Sequence, residues 1–359
     1  MNPENASEKV YGLDKNVYKR FPEHMNCLFR SRLDPTFEYY QQTIRTNMKK
    51  HLASGEDGYS RFDLALNVAA WTVDMHMPFA FEWFPKLDAH EHMPLDLLDQ
   101  PMKDSTPEEN THYIKQAAIY CGATEVRITQ INEKWLYSST ARPYQNASKD
   151  NYPSIDLPDD VVNAVVIGIE MEPKGVKCAP TFLELASTGL AYSKMTYLIA
   201  MVAQFIRALG YKAIPSGNDV GLSIPLAIDA GLGALGRNGL LINKNYGPRF
   251  RLCKIFTNMP LATDKPDFSF ISSINKFCST CKACAEACDS GAISTADKQD
   301  GIAKCPSNNP GVTKKWYVDQ DLCYKIWIEH SSDCGKCIQA CPFAKALIPI
   351  TSDEFWNMK

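Results

Sequence analysis

The chain has 359 residues, 45% of them hydrophobic and 22% charged, which is enough for two or three domains that each bury a core. A formal charge of -3 with no long basic run excludes tracking along a nucleic-acid backbone. No apolar run reaches the roughly 18 residues that a membrane-crossing helix needs.

The opening Met1-Asn2-Pro3-Glu4 carries neither an arginine pair nor a hydrophobic run, so the chain reads as cytoplasmic, with the mature form of an exported, membrane-associated protein as the alternative. Residues 1–105 form an aromatic-rich segment expected to cover a pocket. A helix is predicted over Phe62 to Met75, with turns at Pro78, Pro85, Pro94 and Pro101. The run from Trp71 to Phe84 concentrates large apolar side chains that suit either a pocket wall or plain core, and Trp71 and Trp83 are candidates to shape a cavity. His76, His90 and His92 match no closed metal site and read as structural. Asp74-x-His76 lacks the glycine of the D-x-H-x-x-G cobalamin pattern.

Residues 106–265 alternate helix and strand. Thr106-Pro107-Glu108-Glu109 starts a helix that Cys121-Gly122 ends. Val161 to Met171 is a β-branched strand too apolar for an edge. Leu190 to Leu209 is a helix stopped by Gly210, and Tyr211 to Ile214 is a strand running into the turn Pro215-Ser-Gly-Asn218. Glycines at 221, 231, 233, 236 and 239 let the backbone approach something large and flat. Gly231-x-Gly233-x-x-Gly236 matches a dinucleotide loop only as a string, because it follows a helix-like stretch, so a planar cofactor other than NAD is expected. Strands over Leu240 to Asn243 and Arg249 to Thr257 complete this domain.

Residues 266–345 carry eight cysteines, and a tail over 346–359 closes the chain. Cys278-x2-Cys281-x2-Cys284-x3-Cys288 has bacterial ferredoxin spacing, in which the fourth thiolate reaches the neighbouring cluster. The second group is Cys323, Cys334, Cys337 and Cys341-Pro342, with ten residues where two usually precede Cys334. Partner swapping places Cys278, Cys281, Cys284 and Cys341 on one [4Fe-4S] cluster, and Cys288, Cys323, Cys334 and Cys337 on the other. Structural zinc has no need of the four-cysteine run, and a disulfide framework belongs to much smaller secreted chains. Cys305-Pro306 imitates a ligand but would be a ninth for two four-ligand clusters.

Lys194-Met195, the run Gly210 to Asp219, the run Gly231 to Leu240, Tyr246-Gly-Pro-Arg-Phe-Arg-Leu252 and the two cysteine groups together resemble the corrinoid-dependent reductive dehalogenases over about residues 107–345, with distant similarity to epoxyqueuosine reductases. The resemblance implies an α+β chain: a nitroreductase-like α/β domain binding a base-off cobalamin, then a ferredoxin-like domain whose two clusters relay electrons to it. It places Thr188, Gly217, Gly231, Gly233, Gly236 and Arg237 at the corrinoid. It also implies a catalytic trio of Tyr192 as proton donor, Asn218 and Arg251, with Tyr246 and Arg249, close by in sequence, the nearest rivals for these roles. Trp316 is a further cavity candidate.

The chemistry agrees with that trio. Reductive cleavage of a carbon–halogen bond consumes two electrons and one proton, and a phenol is a poor acid until a fixed cation stabilises its phenolate. The implied partners are a small organohalide and a low-potential electron donor such as a ferredoxin, a flavodoxin or a membrane anchor protein. A homodimer is compatible with this reading. Two rivals stand beside it: an epoxyqueuosine-reductase-like enzyme, which usually has an acidic proton donor and helical repeats after the clusters, and a corrinoid or electron carrier without catalysis.

Overall fold

The computed structural model describes residues 6–76, 105–142, 146–148, 150–345 and 347–358. The proline turns expected between 78 and 101, Trp83, His90 and His92 lie outside the described residues, as does the side chain of His76.

Six strands are present among the described residues: β1 Glu125–Gln130, β2 Asn163–Glu170, β3 Ala213–Ser216, β4 Ala234–Leu235, β5 Leu241–Ile242 and β6 Phe250–Thr257. Four of them make one sheet in the order β1-β2-β6-β3, and β4 pairs with β5. Every pairing is antiparallel, so the alternation of helix and strand along the chain builds an α+β sheet and not a parallel one. β2 is central, as its apolar run predicts, because both of its faces are covered. With a side-chain period of two, Val165, Ile167 and Ile169 join one core while Ala164 and Val166 join the other.

The first core is roofed by the helix Phe182–Ala208, through Ala191, Met195, Leu198, Val202 and Ile206, and by the helix Pro107–Tyr120, through Ile114 and Ala118. The shorter of these helices starts where the sequence says. Thr106 and Glu109 form a reciprocal capping box, and Gly122 turns the chain at φ 104°. The longer one begins eight residues before the expected Leu190, capped by Thr181. Its first turns carry Glu184, Ser187, Thr188 and Gly189, which break an amphipathic pattern and are buried nonetheless. The second core packs the helix Ser223–Asp229 against the opposite face of the sheet.

The aromatic-rich N-terminal segment does more than cover one place. Ser7 Oγ donates to Asp229 Oδ2 at 2.6 Å, locking the first helix to the sheet domain. Arg30 Nη1 donates to Asp321 Oδ2 at 2.9 Å, holding the next helix to the cysteine-rich part. The helix Arg61–His76, predicted over Phe62 to Met75, lies along the long helix, where Thr196 Oγ1 donates to Asp74 Oδ1 at 2.9 Å. The C-terminal helix Ser352–Asn357 returns to the same region, since Trp356 Nε1 and Ser352 Oγ both donate to Asp63 Oδ1 at 2.8 Å. Thus both ends of the chain clamp what lies between them.

The glycines expected to open a flat surface serve internal packing. Gly231 has φ 81°, and a Cβ there would stand 2.3 Å from the Lys265 carbonyl oxygen; at Gly233 it would stand 2.4 Å from that of Ile242. Gly231→Ala should therefore lower the unfolding free energy by about 1–3 kcal/mol, from left-handed backbone strain and overpacking together. Anaerobic urea denaturation checks this, and a stability equal to that of the parent would mean the backbone yields there.

Candidate active site and cluster sites

The proposed trio is assembled from three elements that only the fold brings together. Tyr192 projects from the long helix, Asn218 sits in the turn after β3, and Arg251 stands on β6 opposite Ile169. Asn218 Nδ2 donates to the Tyr192 hydroxyl at 2.6 Å. The Arg251 guanidinium lies 5.4 Å from the centre of the Tyr192 ring, and Trp71 stacks on that ring at 5.1 Å and 23°. Trp71 reaches this position because Gly189 has no side chain: a Cβ there would sit 2.4 Å from the indole. Its Nε1 donates to the Leu185 carbonyl at 3.1 Å, which fixes the stack. Of the suspected cavity tryptophans among the described residues, Trp71 is the one against Tyr192.

Behind the trio is a buried polar network that sequence reasoning missed. Arg251 Nη2 donates to Thr188 Oγ1 at 3.0 Å, and Thr188 donates to Glu184 Oε1 at 3.1 Å. Ser332 Oγ donates to the other oxygen, Glu184 Oε2, at 3.1 Å. Burial pushes the Glu184 carboxyl up, the nearby Asp333 carboxyl adds to this, and Arg251 opposes it; Asp333 is raised by burial in the same way. Thr188 and Glu184 are one turn apart, so a helical-face argument could have paired them, but nothing local reports that both are buried. Thr188, expected at the corrinoid, is instead enclosed between Glu184 and Arg251.

Lys254 is another residue with no sequence signal. It is fully buried in β6, and its Nζ donates to Gly217 O at 2.6 Å, Asp219 O at 3.0 Å and Ser223 Oγ at 3.1 Å. These bonds hold the turn that carries Asn218. Gly217, in that turn, has an open face, since a Cβ would meet nothing closer than Asp219 Oδ1 at 3.8 Å. Arg249, the rival for Arg251, is buried and spends itself on Glu170 and on the Met171 carbonyl, 3.0 Å away.

The cysteines gather as two groups. Cys278, Cys281, Cys284 and Cys341 line one recess, together with Arg237, Asn238, Ile242, Phe277, Pro342 and Phe343. Cys288, Cys323, Cys334 and Cys337 make up the second set, and Cys323, Cys334, Cys284 and Cys288 all add to the rise that burial imposes on the Cys337 thiol, so Cys284 of the first set stands close to the second. All thirteen cysteines are free thiols, and among the described residues no His, Cys, Asp or Glu trio converges on a point for a single ion. The recess fits a cluster on a second count. Asn238 Oδ1 accepts from Leu240 N at 3.3 Å, while Nδ2, at the recess, is buried without a partner. A sulfide or thiolate can accept such a hydrogen.

Arg237, expected at the corrinoid, belongs here instead. Its guanidinium is 1% exposed and makes six hydrogen bonds, all to carbonyl oxygens: Cys278, Ser279, Cys281, Ser294 and Ala296. Trp316 covers it at 4.5 Å, so this indole is spent on the cluster loop and not on a substrate cavity. Gly236 sits beside it, where a Cβ would crowd Asn238 Oδ1 at 2.8 Å.

With this geometry in view, comparison with known proteins shows what the chain is similar to. Residues 277–345 match the model of a 4Fe-4S dicluster domain. The chain is 34% identical over 329 residues to the tetrachloroethene reductive dehalogenase of Sulfurospirillum multivorans, covering 83% of this chain and 64% of that protein. The chain is thus similar to a member of the reductive dehalogenase family. A second family member, the tetrachloroethene reductive dehalogenase of Desulfitobacterium hafniense, is 33% identical over 291 residues, covering 72% of this chain and 51% of that protein. The fold is shared with the solved structure of a catabolic reductive dehalogenase, at a TM-score of 0.68 and 21% identity over 93% of this chain and 43% of the other. This reductive dehalogenase homologue thus spans between about half and two thirds of the length of those two curated relatives. Among its described residues no helix is long and apolar enough to cross a membrane.

Burial pulls Lys254 down to about 8 from 10.5, with Asp219 opposing. Between those values the unfolded chain holds the lysine proton more often than the folded chain does, so stability rises with pH across that window. Lys254→Met should flatten this rise in urea titrations at pH 7.5 and 9.5; an unchanged slope would show that the buried ammonium does not cause it.

Proposed function

We propose that the chain is a reductive dehalogenase that replaces halogen by hydrogen on a small organohalide, consuming two electrons and one proton and releasing halide. The observation that carries this reading is the Tyr192 hydroxyl held by Asn218 Nδ2 at 2.6 Å beside the Arg251 guanidinium. The relatives named tetrachloroethene reductive dehalogenase support it, as does the dicluster match over the eight spaced cysteines. A cobalamin would supply the reducing cobalt when bound, and two clusters held by the eight spaced cysteines would supply electrons one at a time.

The chain's own residues provide the proton and the frame. Tyr192 Oη gives its proton to the carbon that loses halide, and the phenolate left behind is stabilised by Arg251, whose guanidinium never gives up its own proton. Asn218 orients the hydroxyl, and its amide stays fixed because Lys254 holds the turn from behind. Trp71 excludes water from one face of the ring. The buried Nε of Arg251 has no protein partner and is free for a bound group. Of the six residues expected at the corrinoid, Gly217 is the one whose backbone stands open, and the Gly217–Asn218 edge is the contact we assign to it. Thr188 supports Arg251, while Gly231, Gly233, Gly236 and Arg237 are engaged inside the protein.

The cluster ligands are Cys278, Cys281, Cys284 and Cys341 for one cubane and Cys288, Cys323, Cys334 and Cys337 for the other. The electron donor is a low-potential carrier or a membrane anchor protein. The chain works as a soluble unit, and a homodimer is compatible with that.

Tyr192→Phe should keep the cluster and corrinoid bands of the visible spectrum while halide release falls by about a hundredfold or more, the usual share of a general acid. Undiminished release would remove Tyr192 from the chemistry. Cys284→Ala should lose one cluster's worth of iron and sulfide; full content in that variant would break the ligand set.

A further inference from the structure

A reduced cluster carries one more negative charge than an oxidised one, so any fixed positive charge or hydrogen-bond donor beside it favours the reduced form. Two consecutive residues place both devices at the first recess. Arg237 is buried with its hydrogen bonds going only to neutral carbonyls, including those of Cys278 and Cys281, so no anionic partner within bonding distance cancels its charge. Arg237 itself lines the recess beside Cys278, Cys281, Cys284 and Cys341, and it is hydrogen-bonded to the backbone of two of those cysteines. Trp316 shields the guanidinium from solvent, and its Nε1 donates at 2.9 Å to the Ala296 carbonyl that Arg237 also uses. Screening by salt is weak at such a site. Asn238 adds the second device. Leu240 N–H commits Oδ1 and thereby fixes which end of the amide is nitrogen, leaving Nδ2 as a buried, unspent donor on a residue that lines the same recess.

We propose that Arg237 and Asn238 set the reduction potential of the cluster held by Cys278, Cys281, Cys284 and Cys341, raising it above the value those four thiolates alone would give. The proposal rests on that ligand set. The two residues act on electron delivery by positioning charge and a donor; neither touches substrate. The step is a one-electron reduction of the cluster by the external low-potential donor, with no bond made or broken in the protein.

The test is an anaerobic redox titration followed by electron paramagnetic resonance on the intact, cluster-loaded chain, with Asn238→Leu, Arg237→Gln and Arg237→Lys compared with the parent. In Asn238→Leu and Arg237→Gln one cluster's midpoint should move to more negative potential, with roughly tenfold less of it reduced at the parent midpoint, while the other cluster's midpoint stays. Arg237→Lys keeps the charge and should stay close to the parent. Asn238→Leu leaves the carbonyl cradle of Arg237 untouched, so it decides the matter even where Arg237→Gln loses iron. Two intact clusters with unmoved midpoints in Asn238→Leu would overturn the proposal, as would a Lys variant shifted as far as the Gln one. A parent protein with fewer than two clusters would instead bring down the ligand set itself, and the proposal with it.

Discussion

The Arg251 guanidinium stands between the Tyr192 ring on one side and the Thr188–Glu184 network on the other, and most of the active half of the molecule follows from keeping it there. Arg251 is partly buried, its Nη2 held by Thr188 and its Nε left without a protein partner, and groups taken from water need such neighbours to be stable. Here the satisfying groups come from the long helix, which supplies Thr188 and Glu184, and from the loop before Cys334, which supplies Ser332 and places Asp333 nearby. The Tyr192 end and the cysteine-bearing end are therefore joined through one carboxyl. A Cβ on Gly335 would stand 2.6 Å from Glu184 Oε1, so the cysteine loop lies directly against that carboxyl.

The antiparallel sheet is what makes the meeting possible. β6 pairs on both sides, with β2 and β3, and so brings Arg251 and Lys254 under the helix and the turn that carry Tyr192 and Asn218. Residues 251 and 254 differ by an odd number, so a strand sends their side chains to opposite faces: Arg251 toward the long helix and Lys254 toward the turn and Ser223. One strand thereby supplies both the cation beside the phenol and the ammonium that steadies its partner. In the cluster half Arg237 plays the comparable part, drawing five carbonyls from two separate loops around a single side chain.

Much of this was legible from residues alone, for reasons that differ by element. Local signals read well where the physics is local: the Thr106 capping box, the Gly122 stop and the continuous apolar run of β2. The cysteine spacing was equally readable, because the geometry of a cubane is written in gaps of two and three residues. Reading failed where a residue's partner is distant in the chain. The long helix was read only from Leu190, whereas it starts at Phe182, and its first turns bury the polar Glu184, Ser187 and Thr188. The glycines of the 231–236 run looked like room for a flat ligand, yet they make room for the Lys265 and Ile242 carbonyls.

By itself, then, the order of residues determined two four-cysteine groups, the main helices and strands, and a phenol, an amide and a guanidinium as the candidate trio. Each of those follows from spacing, from periodicity or from the match of short motifs, all of which are properties of neighbours in the chain. The tertiary structure alone decided that the sheet is antiparallel, that Trp71 stacks on Tyr192 over Gly189, and that Lys254 and Glu184 sit behind the trio. It also decided that Arg237 serves the cysteine loop. The physical reason is the same in each case: a buried polar group is stable only with partners that satisfy it, and those partners lie far along the chain, where no pattern of neighbours can announce them.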